Sequence, residues 1–251
     1  MEFQNGLDSE GVIEYDTFMP TEAELRQLLA DSCRILFRQG LVDYMGHPSV
    51  RIPGTDRVLI KPRHSLRIRS QDRLTPDDMV IIDLAGNPIE GRDGPPAERF
   101  IHTCIYRARP DVQAVVHTHQ PMATVMGIGG APIQPILHVE AALVERPVPV
   151  WPCAKLVTDN ELGDQLARAL GDHSVVHLQG HGIASAAATV QEATINAIHL
   201  EHLALANWRV LAMGRQPRVI PHDEIHQRTA TGVAWDVRWA YYAELAGIER
   251  A

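Results

Sequence analysis

Two short segments of the chain carry histidines where they could hold a metal ion together. His117 and His119 close the apolar run 112–116, and His181 stands between two glycines after the run 174–178. Side chains two residues apart on a strand point to the same face, so His117 and His119 can reach one point in space. The flanking glycines allow the backbone to turn sharply around His181. Three neutral imidazoles with one coordination position left open are typical of a catalytic metal ion rather than a structural one.

The other histidines show no comparable arrangement, although the chain has 13 of them. A histidine pair at a strand end, or a Gly-His-Gly turn, is by itself a common structural feature. The metal-site hypothesis therefore depends on both segments occurring in one chain. We interpret the remaining pairs as helix-surface, capping or core side chains: His173 with His177, His199 with His202, and His222 with His226.

The composition is that of a soluble globular protein and argues against several classes of function. Hydrophobic residues make up 45% of the chain and charged residues 22%, as in ordinary globular domains. A formal net charge of −8 disfavours nucleic acid as a partner, because phosphate binding needs a basic face. We find no apolar run long enough to span a membrane and no signal peptide. Three widely spaced cysteines without a CxxC motif fit a reducing compartment, so we expect a cytoplasmic protein.

Helix-start signals and short apolar runs alternate along the chain. Strands are predicted at 47–52, 57–61, 79–83, 112–117 and 174–178, and helices at 97–109 and 237–245. Three capping boxes predict further helix starts: Thr21 with Glu24, Thr158 with Glu161, and Thr189 with Glu192.

This order of elements predicts an α/β fold with helices on both faces of one sheet. The first strands come in short, close pairs, which favours a mixed or mostly antiparallel sheet over a doubly wound parallel one. Residues 1–20 lack periodicity and are predicted to form an arm. Residues 21–251 show no internal repeat or linker and are predicted to form a single domain.

Three segments resemble the class II aldolase/adducin family, whose best-known members are zinc-dependent sugar-phosphate aldolases. They are 95–102 (PPAERFIH), 109–119 (RPDVQAVVHTH) and 179–182 (QGHG), and the resemblance extends over residues 22–215. It implies a three-layer α/β/α sandwich and a homotetramer with active sites near subunit interfaces.

The resemblance also implies roles for individual residues. His117, His119 and His181 match the metal ligands of the family. Glu98 matches the glutamate that acts as general acid–base and can also contact the metal. One divalent ion per subunit is expected, Zn²⁺ or Mn²⁺, with Fe²⁺ and Co²⁺ as further candidates.

The loops that surround a phosphate group in the sugar-phosphate aldolases differ here. The chain has GHPSVR at 46–51, PRH at 62–64, and Pro96-Ala97 in place of a serine pair before the glutamate. Proline removes an N–H donor and alanine lacks a hydroxyl. A phosphorylated sugar is therefore not the expected substrate.

The same loops contain groups suited to a carboxylate and to a planar ring. Arg63 offers a guanidinium fork that matches a carboxylate, and His47 and His64 can hydrogen-bond or stack. With Ser49, these residues are the predicted substrate-binding set. The loop form resembles the branch of the family that contains decarboxylases of hydroxylated aromatic dicarboxylates, such as 3,4-dihydroxyphthalate and a hydroxymethylpyridine dicarboxylate. It is also found in the adducin-like branch.

Three functions remain open from the sequence. The first is a metal-dependent decarboxylase of a hydroxyaromatic carboxylate, and the second is an aldolase acting on a non-phosphorylated hydroxy- or keto-acid. In the first, Glu98 or a tyrosine such as Tyr241 or Tyr242 of a neighbouring subunit would protonate the ring carbon. The third is an adducin-like binding module, which is disfavoured because a binding module has no need of the metal ligands and Glu98.

Overall fold

The computed structural model describes residues 20–68, 70–229 and 234–249. The predicted arm at 1–20 lies outside these ranges except for Pro20, and the single domain at 21–251 stays a prediction. Within the described ranges, no helix is both long and apolar enough to cross a membrane.

Helices and strands alternate along the described chain. The helices are α1 (Glu22–Arg38), α2 (Phe100–Ala108), α3 (Pro121–Gly129), α4 (Asn160–Leu170), α5 (Val190–Ala212), α6 (His222–Thr229) and α7 (Trp235–Leu245). The strands are β1 (His47–Arg51), β2 (Arg57–Ile60), β3 (Val80–Asp83), β4 (Pro88–Glu90), β5 (Ala114–Thr118), β6 (Val150–Trp151), β7 (Val175–Leu178) and β8 (Gly182–Ala187).

The described strands form one sheet in the order β4-β3-β2-β1-β5-β8-β7-β6. Every neighbouring pair is antiparallel except β6 and β7, which run parallel. The predicted mixed, mostly antiparallel sheet is therefore confirmed. Strands β1 and β5 lie at its centre, where His47 pairs with His117. The predicted substrate-binding His47 and the predicted metal ligand His117 are therefore neighbours in the middle of the sheet.

Alternating side chains divide the core into two layers. Leu59 and Val116 pack on the face covered by α1, α3, α5 and α7, whereas Val58, Ile60 and Val115 pack on the face covered by α2 and α4. This is the period-two alternation of strands buried on both faces. The three-layer α/β/α arrangement is confirmed.

The capping predictions are confirmed at two helices and wrong at one. Thr21 and Glu24 form the complete capping box of α1, and the Thr189 side chain accepts the Glu192 N–H at the start of α5. The predicted box of Thr158 and Glu161 does not form. Asp159 caps α4 instead, by accepting the Leu162 N–H, because its carboxylate stands one residue nearer to the helix.

Several elements have no clear signal in the sequence. Strand β8 consists mostly of small residues, GIASAA, rather than the β-branched and aromatic residues favoured in strands. Strands β4 and β6 have three and two residues, too few for a periodic pattern. The predicted helix at 97–109 begins only at Phe100, since a turn occupies residues 97–99.

Candidate metal centre

The centre of the sheet and one tight hairpin position the three predicted histidines. His117 lies on β5 and is fully buried. His119 follows the end of that strand, where its backbone N–H donates to the Leu41 carbonyl at 3.2 Å. His181 lies in the turn between β7 and β8, and pairing of β8 with β5 brings this turn to the end of β5.

A backbone carbonyl determines which nitrogen of His117 faces the cluster. The Nδ1 atom of His117 is 2.9 Å from the carbonyl oxygen of Ile183. Because a carbonyl only accepts, Nδ1 carries the proton and Nε2 keeps its lone pair. The Nε2 atoms of His117 and His119 are 3.0 Å apart, about the separation of two nitrogens bound to one ion at roughly 2.0–2.1 Å.

Glu98 is a buried carboxylate that contacts the histidines with one oxygen and the backbone at Val157 with the other. Its Oε1 accepts the Val157 N–H at 3.0 Å. Its Oε2 lies 3.5 Å from Nε2 of His181 and 4.0 Å from Nε2 of His117. Burial alone would raise the pKa of Glu98, but hydrogen bonding to His181 and electrostatic interaction with the neighbouring imidazole rings lower the pKa to about 2.

The four side chains fit a divalent metal ion. One ligand atom from each of Glu98, His117, His119 and His181 lies within 4.8 Å of the others. The Nε2 atoms face this group, at 3.0 Å between His117 and His119 and at 3.5 Å between His181 and Oε2 of Glu98. Three imidazoles and a carboxylate suit Zn²⁺ and also the metals that accept more oxygen.

A buried chain of hydrogen bonds supports His47 from behind. Its Nδ1 is 2.7 Å from Nε2 of His102, whose Nδ1 is 2.6 Å from Oγ of Ser49. Ser49 Oγ in turn lies 2.7 Å from the hydroxyl of Tyr106. Burial lowers the pKa of His102 to about 3 and that of His47 well below its usual value. Both rings are therefore neutral, and the chain fixes the orientation of His47.

A cavity of about 500 Å³ opens beside this cluster and shares Glu98 with it. Of the predicted substrate-binding residues, His47, Arg63 and His64 line the cavity. Ser49 does not line it, and its buried hydroxyl is engaged by His102 and Tyr106 instead. The remaining lining residues are Tyr44, Met45, Gly46, Lys61, Ser65, Pro96, Ala97 and Leu156.

Lys61 is a cavity residue that the sequence did not reveal. Its side chain is only 2% exposed, and its Nζ donates to the Tyr44 carbonyl at 3.1 Å. No carboxylate forms an ion pair with it among the described residues, and burial lowers its pKa. From the sequence, a lysine at the end of the apolar strand β2 is expected to be exposed to solvent. Its burial depends on packing against residues elsewhere in the chain.

The structure does not bring the predicted tyrosines to this cavity. Tyr241 is 58% exposed on α7, Tyr242 packs against the core, and neither lines the cavity within the described chain. A role for Tyr241 from a neighbouring subunit stays a prediction.

The interpretation of His222 and His226 as an ordinary surface pair is incomplete. The structure places Glu145 against both rings, and the three residues form a second group whose ligand atoms lie within 4.8 Å of one another. Their spacing of four residues was the available signal, but the carboxylate stands 77 residues before His222.

We expect Gly182→Ala to destabilise the hairpin that holds His181. A Cβ at this position would lie 2.1 Å from the carbonyl oxygen of Thr118, so β8 would have to move away from β5. The expected loss is about 1–3 kcal/mol of unfolding free energy, measured by urea denaturation, with reduced metal content. Gly129→Ala is the control, since a Cβ there has nothing within 4 Å in the described structure. Equal stability of the two variants would contradict the prediction.

Comparison with known proteins relates this chain to a family that includes enzymes. The sequence model of the class II aldolase and adducin N-terminal domain matches residues 27–208. A 3,4-dihydroxyphthalate decarboxylase from Arthrobacter keyseri is 34% identical over 241 residues, which is 92% of this chain and 96% of the relative.

Sugar-phosphate enzymes are also similar. An L-fuculose phosphate aldolase from Escherichia coli O6:H1 is 32% identical, covering 80% of this chain and 91% of the relative. The crystal structure of an aldolase II superfamily protein from Pseudomonas syringae superposes with a TM-score of 0.77 at 24% identity, covering 92% of this chain and 95% of that one. This structural likeness supports the fold.

Proposed function

The chain belongs to the class II aldolase and adducin family and is a lyase, and from this premise we propose that it is a metal-dependent decarboxylase of a hydroxylated aromatic dicarboxylate. The observation that carries the proposal is a pair of cations, Lys61 and Arg63, on the wall of the cavity that Glu98 shares with the metal centre. A decarboxylase relative of nearly full length supports the same assignment.

The cavity wall matches a flat, anionic substrate. Lys61 is a buried cation with no carboxylate at ion-pair distance among the described residues, and the more distant Asp43 only partly offsets its burial, so an entering carboxylate would give it a direct partner. Arg63 is exposed at the cavity, and its backbone N–H donates to the Gly94 carbonyl at 2.9 Å. Tyr44 and Leu156 are exposed apolar side chains at the same cavity and would contact the ring. Two cations suit a substrate that loses one carboxylate and retains another.

Each part of the site has a role in the reaction. When bound, a divalent ion supplies a Lewis acid that takes up negative charge on a substrate oxygen. Lys61 and Arg63 hold the substrate carboxylates, and His47 positions the ring through its second nitrogen. Glu98 takes the proton of the substrate hydroxyl and gives it to the ring carbon. The bond from that carbon to the carboxylate breaks, its electron pair returns to the ring, and CO₂ leaves.

The proposal extends to assembly and location. We propose a cytoplasmic homotetramer, as the family resemblance implies, in which a neighbouring subunit covers the exposed apolar residues Tyr44, Leu66 and Leu156. A neighbouring Tyr241 would then have access to the cavity. Light scattering after gel filtration tests this assembly, and a monomer in dilute solution would contradict it.

The function is tested by incubating the metal-loaded protein with ortho-hydroxy aromatic dicarboxylates and measuring CO₂. The expected result is stoichiometric release of CO₂ and of the ring with one carboxylate fewer, from dicarboxylates faster than from matched monocarboxylates. Release of an aldehyde or a keto acid from non-phosphorylated hydroxy-keto acids, without CO₂ from any aromatic, would assign the aldolase function instead.

We expect Glu98→Gln to keep the fold and most of the metal while lowering kcat by about 10²–10⁴-fold, the usual contribution of general acid–base catalysis. The amide oxygen of glutamine can still accept the Val157 N–H, so the side chain keeps its anchor. The neutral amide cannot carry the proton. Parallel measurement of kcat and bound metal separates the two roles, and an unchanged kcat would refute the role of Glu98 in proton transfer.

A further inference from the structure

His222 and His226 present two imidazoles from one face of α6. They are four residues apart on the helix, and side chains at this spacing lie one above the other. Their ring centroids are 4.2 Å apart. This places two nitrogen ligands side by side at the surface.

Glu145 adds an oxygen ligand from a separate part of the chain. It follows the 3-10 turn Ala141–Val144. Its carboxylate hydrogen-bonds Nδ1 of His222, and its Oε2 lies 3.1 Å from Nε2 of His226. One ligand atom from each of the three residues lies within 4.8 Å of the others. The group therefore joins α6 to a segment 77 residues earlier.

The exposure of this group differs from that of the first centre. The side chains of Glu145, His222 and His226 are 26%, 78% and 48% exposed, so water has access to the open side. Two imidazoles and one carboxylate suit Zn²⁺ and its neighbours Cu²⁺ and Ni²⁺, and they disfavour Mg²⁺ and Ca²⁺, which prefer all-oxygen sets. An ion here would exchange readily with solution.

We propose that Glu145, His222 and His226 form a second, exchangeable site for Zn²⁺ or a related transition-metal ion, which fastens α6 to the segment after the 3-10 turn. Existing contacts already hold this region together. Ile225 of α6 is buried, and the Ile220 N–H donates to the Pro135 carbonyl at 2.9 Å just before the helix. The ion would cross-link α6 at its exposed face, where these contacts do not reach. This site is independent of the proposed reaction.

The test measures Zn²⁺ binding to the full chain by equilibrium dialysis. The wild type is expected to bind a second, weaker equivalent beyond the tightly held ion. Glu145→Gln combined with His222→Asn should lose only the weaker equivalent, and His119→Asn should lose only the tight one. The control is His202→Asn, because His202 faces Glu140 at 3.6 Å without belonging to either ligand group, and it should keep both.

Hydrogen exchange locates the ion. Zn²⁺ is expected to slow amide exchange within α6 by about tenfold or more in the His119→Asn background, and to leave α6 unchanged once Glu145 and His222 are also replaced. If His119→Asn protein binds no Zn²⁺ at millimolar concentration, or if α6 shows no added protection, the second site is refuted. Either result leaves the first centre and its reaction untouched.

Discussion

His119→Asn is expected to release the tightly bound metal and to lower the rate of CO₂ formation by roughly 10³-fold, equivalent to about 4 kcal/mol of lost charge stabilisation. Among the three histidines, His119 is the most suitable to replace. The side chain of His117 also donates to Ile183, and His181 lies in the tight turn between β7 and β8. His119 is held through its backbone, so its side chain can change with little effect on the sheet.

The measurement compares metal retained after exhaustive dialysis with turnover on one dicarboxylate. Chelator treatment of the wild type should reproduce the loss, and added Zn²⁺ or Mn²⁺ should restore turnover only in the wild type. His202→Asn is the matched control on the surface of α5 and should behave as the wild type. Full turnover in metal-free protein would overturn both the metal centre and the proposed reaction.

Lys61→Met is expected to raise KM by roughly 10- to 100-fold, because it removes one charge-assisted hydrogen bond to the substrate. The same change should increase the free energy of unfolding of the substrate-free protein by about 1 kcal/mol or more. Lys61 is a buried cation without an ion-pair partner among the described residues, and methionine fills a similar volume without a charge. Weaker substrate binding together with higher stability would distinguish a ligand-binding lysine from a structural one, whose loss would lower stability.

The stabilisation expected for Lys61→Met should depend on pH. The pKa of Lys61 is lowered by burial, so below its unfolded value of about 10.4 the unfolded chain binds the proton more tightly. The cost of burying the charge is therefore fully present below the folded pKa and declines as pH rises toward the unfolded one. The stability advantage of Lys61→Met should narrow at high pH.

Arg26→Met is the matched control for Lys61→Met. Arg26 is paired with Glu22 and Glu90 at 2.7 and 2.8 Å and lies away from the cavity. Its replacement should leave KM unchanged and should not stabilise the protein. A lower unfolding free energy for Lys61→Met, with an unchanged KM, would show that Lys61 has no part in substrate binding.

Local patterns were sufficient to predict the fold class and the grouping of the first four site residues. Apolar runs of strand length, together with capping residues such as Thr21 and Thr189, depend on neighbours within one turn or one strand. The spacing of His117 and His119 is likewise local, as is the glycine-flanked turn of His181, and the resemblance to a known family added Glu98. For this reason the mixed sheet between two helical layers could be predicted from the sequence.

The features that the sequence did not reveal depend on residues far apart in the chain. Lys61 is buried at the end of β2, where its Nζ donates to the Tyr44 carbonyl 17 residues earlier in the chain. Glu145 meets His222 and His226 only after 77 residues of chain have folded back. Ser49 lies on the same face of β1 as His47 but outside the cavity lining, where His102 and Tyr106 on α2 engage its hydroxyl. Burial and long-range hydrogen bonds arise from packing between elements, and a single sequence read locally carries no record of which elements will meet.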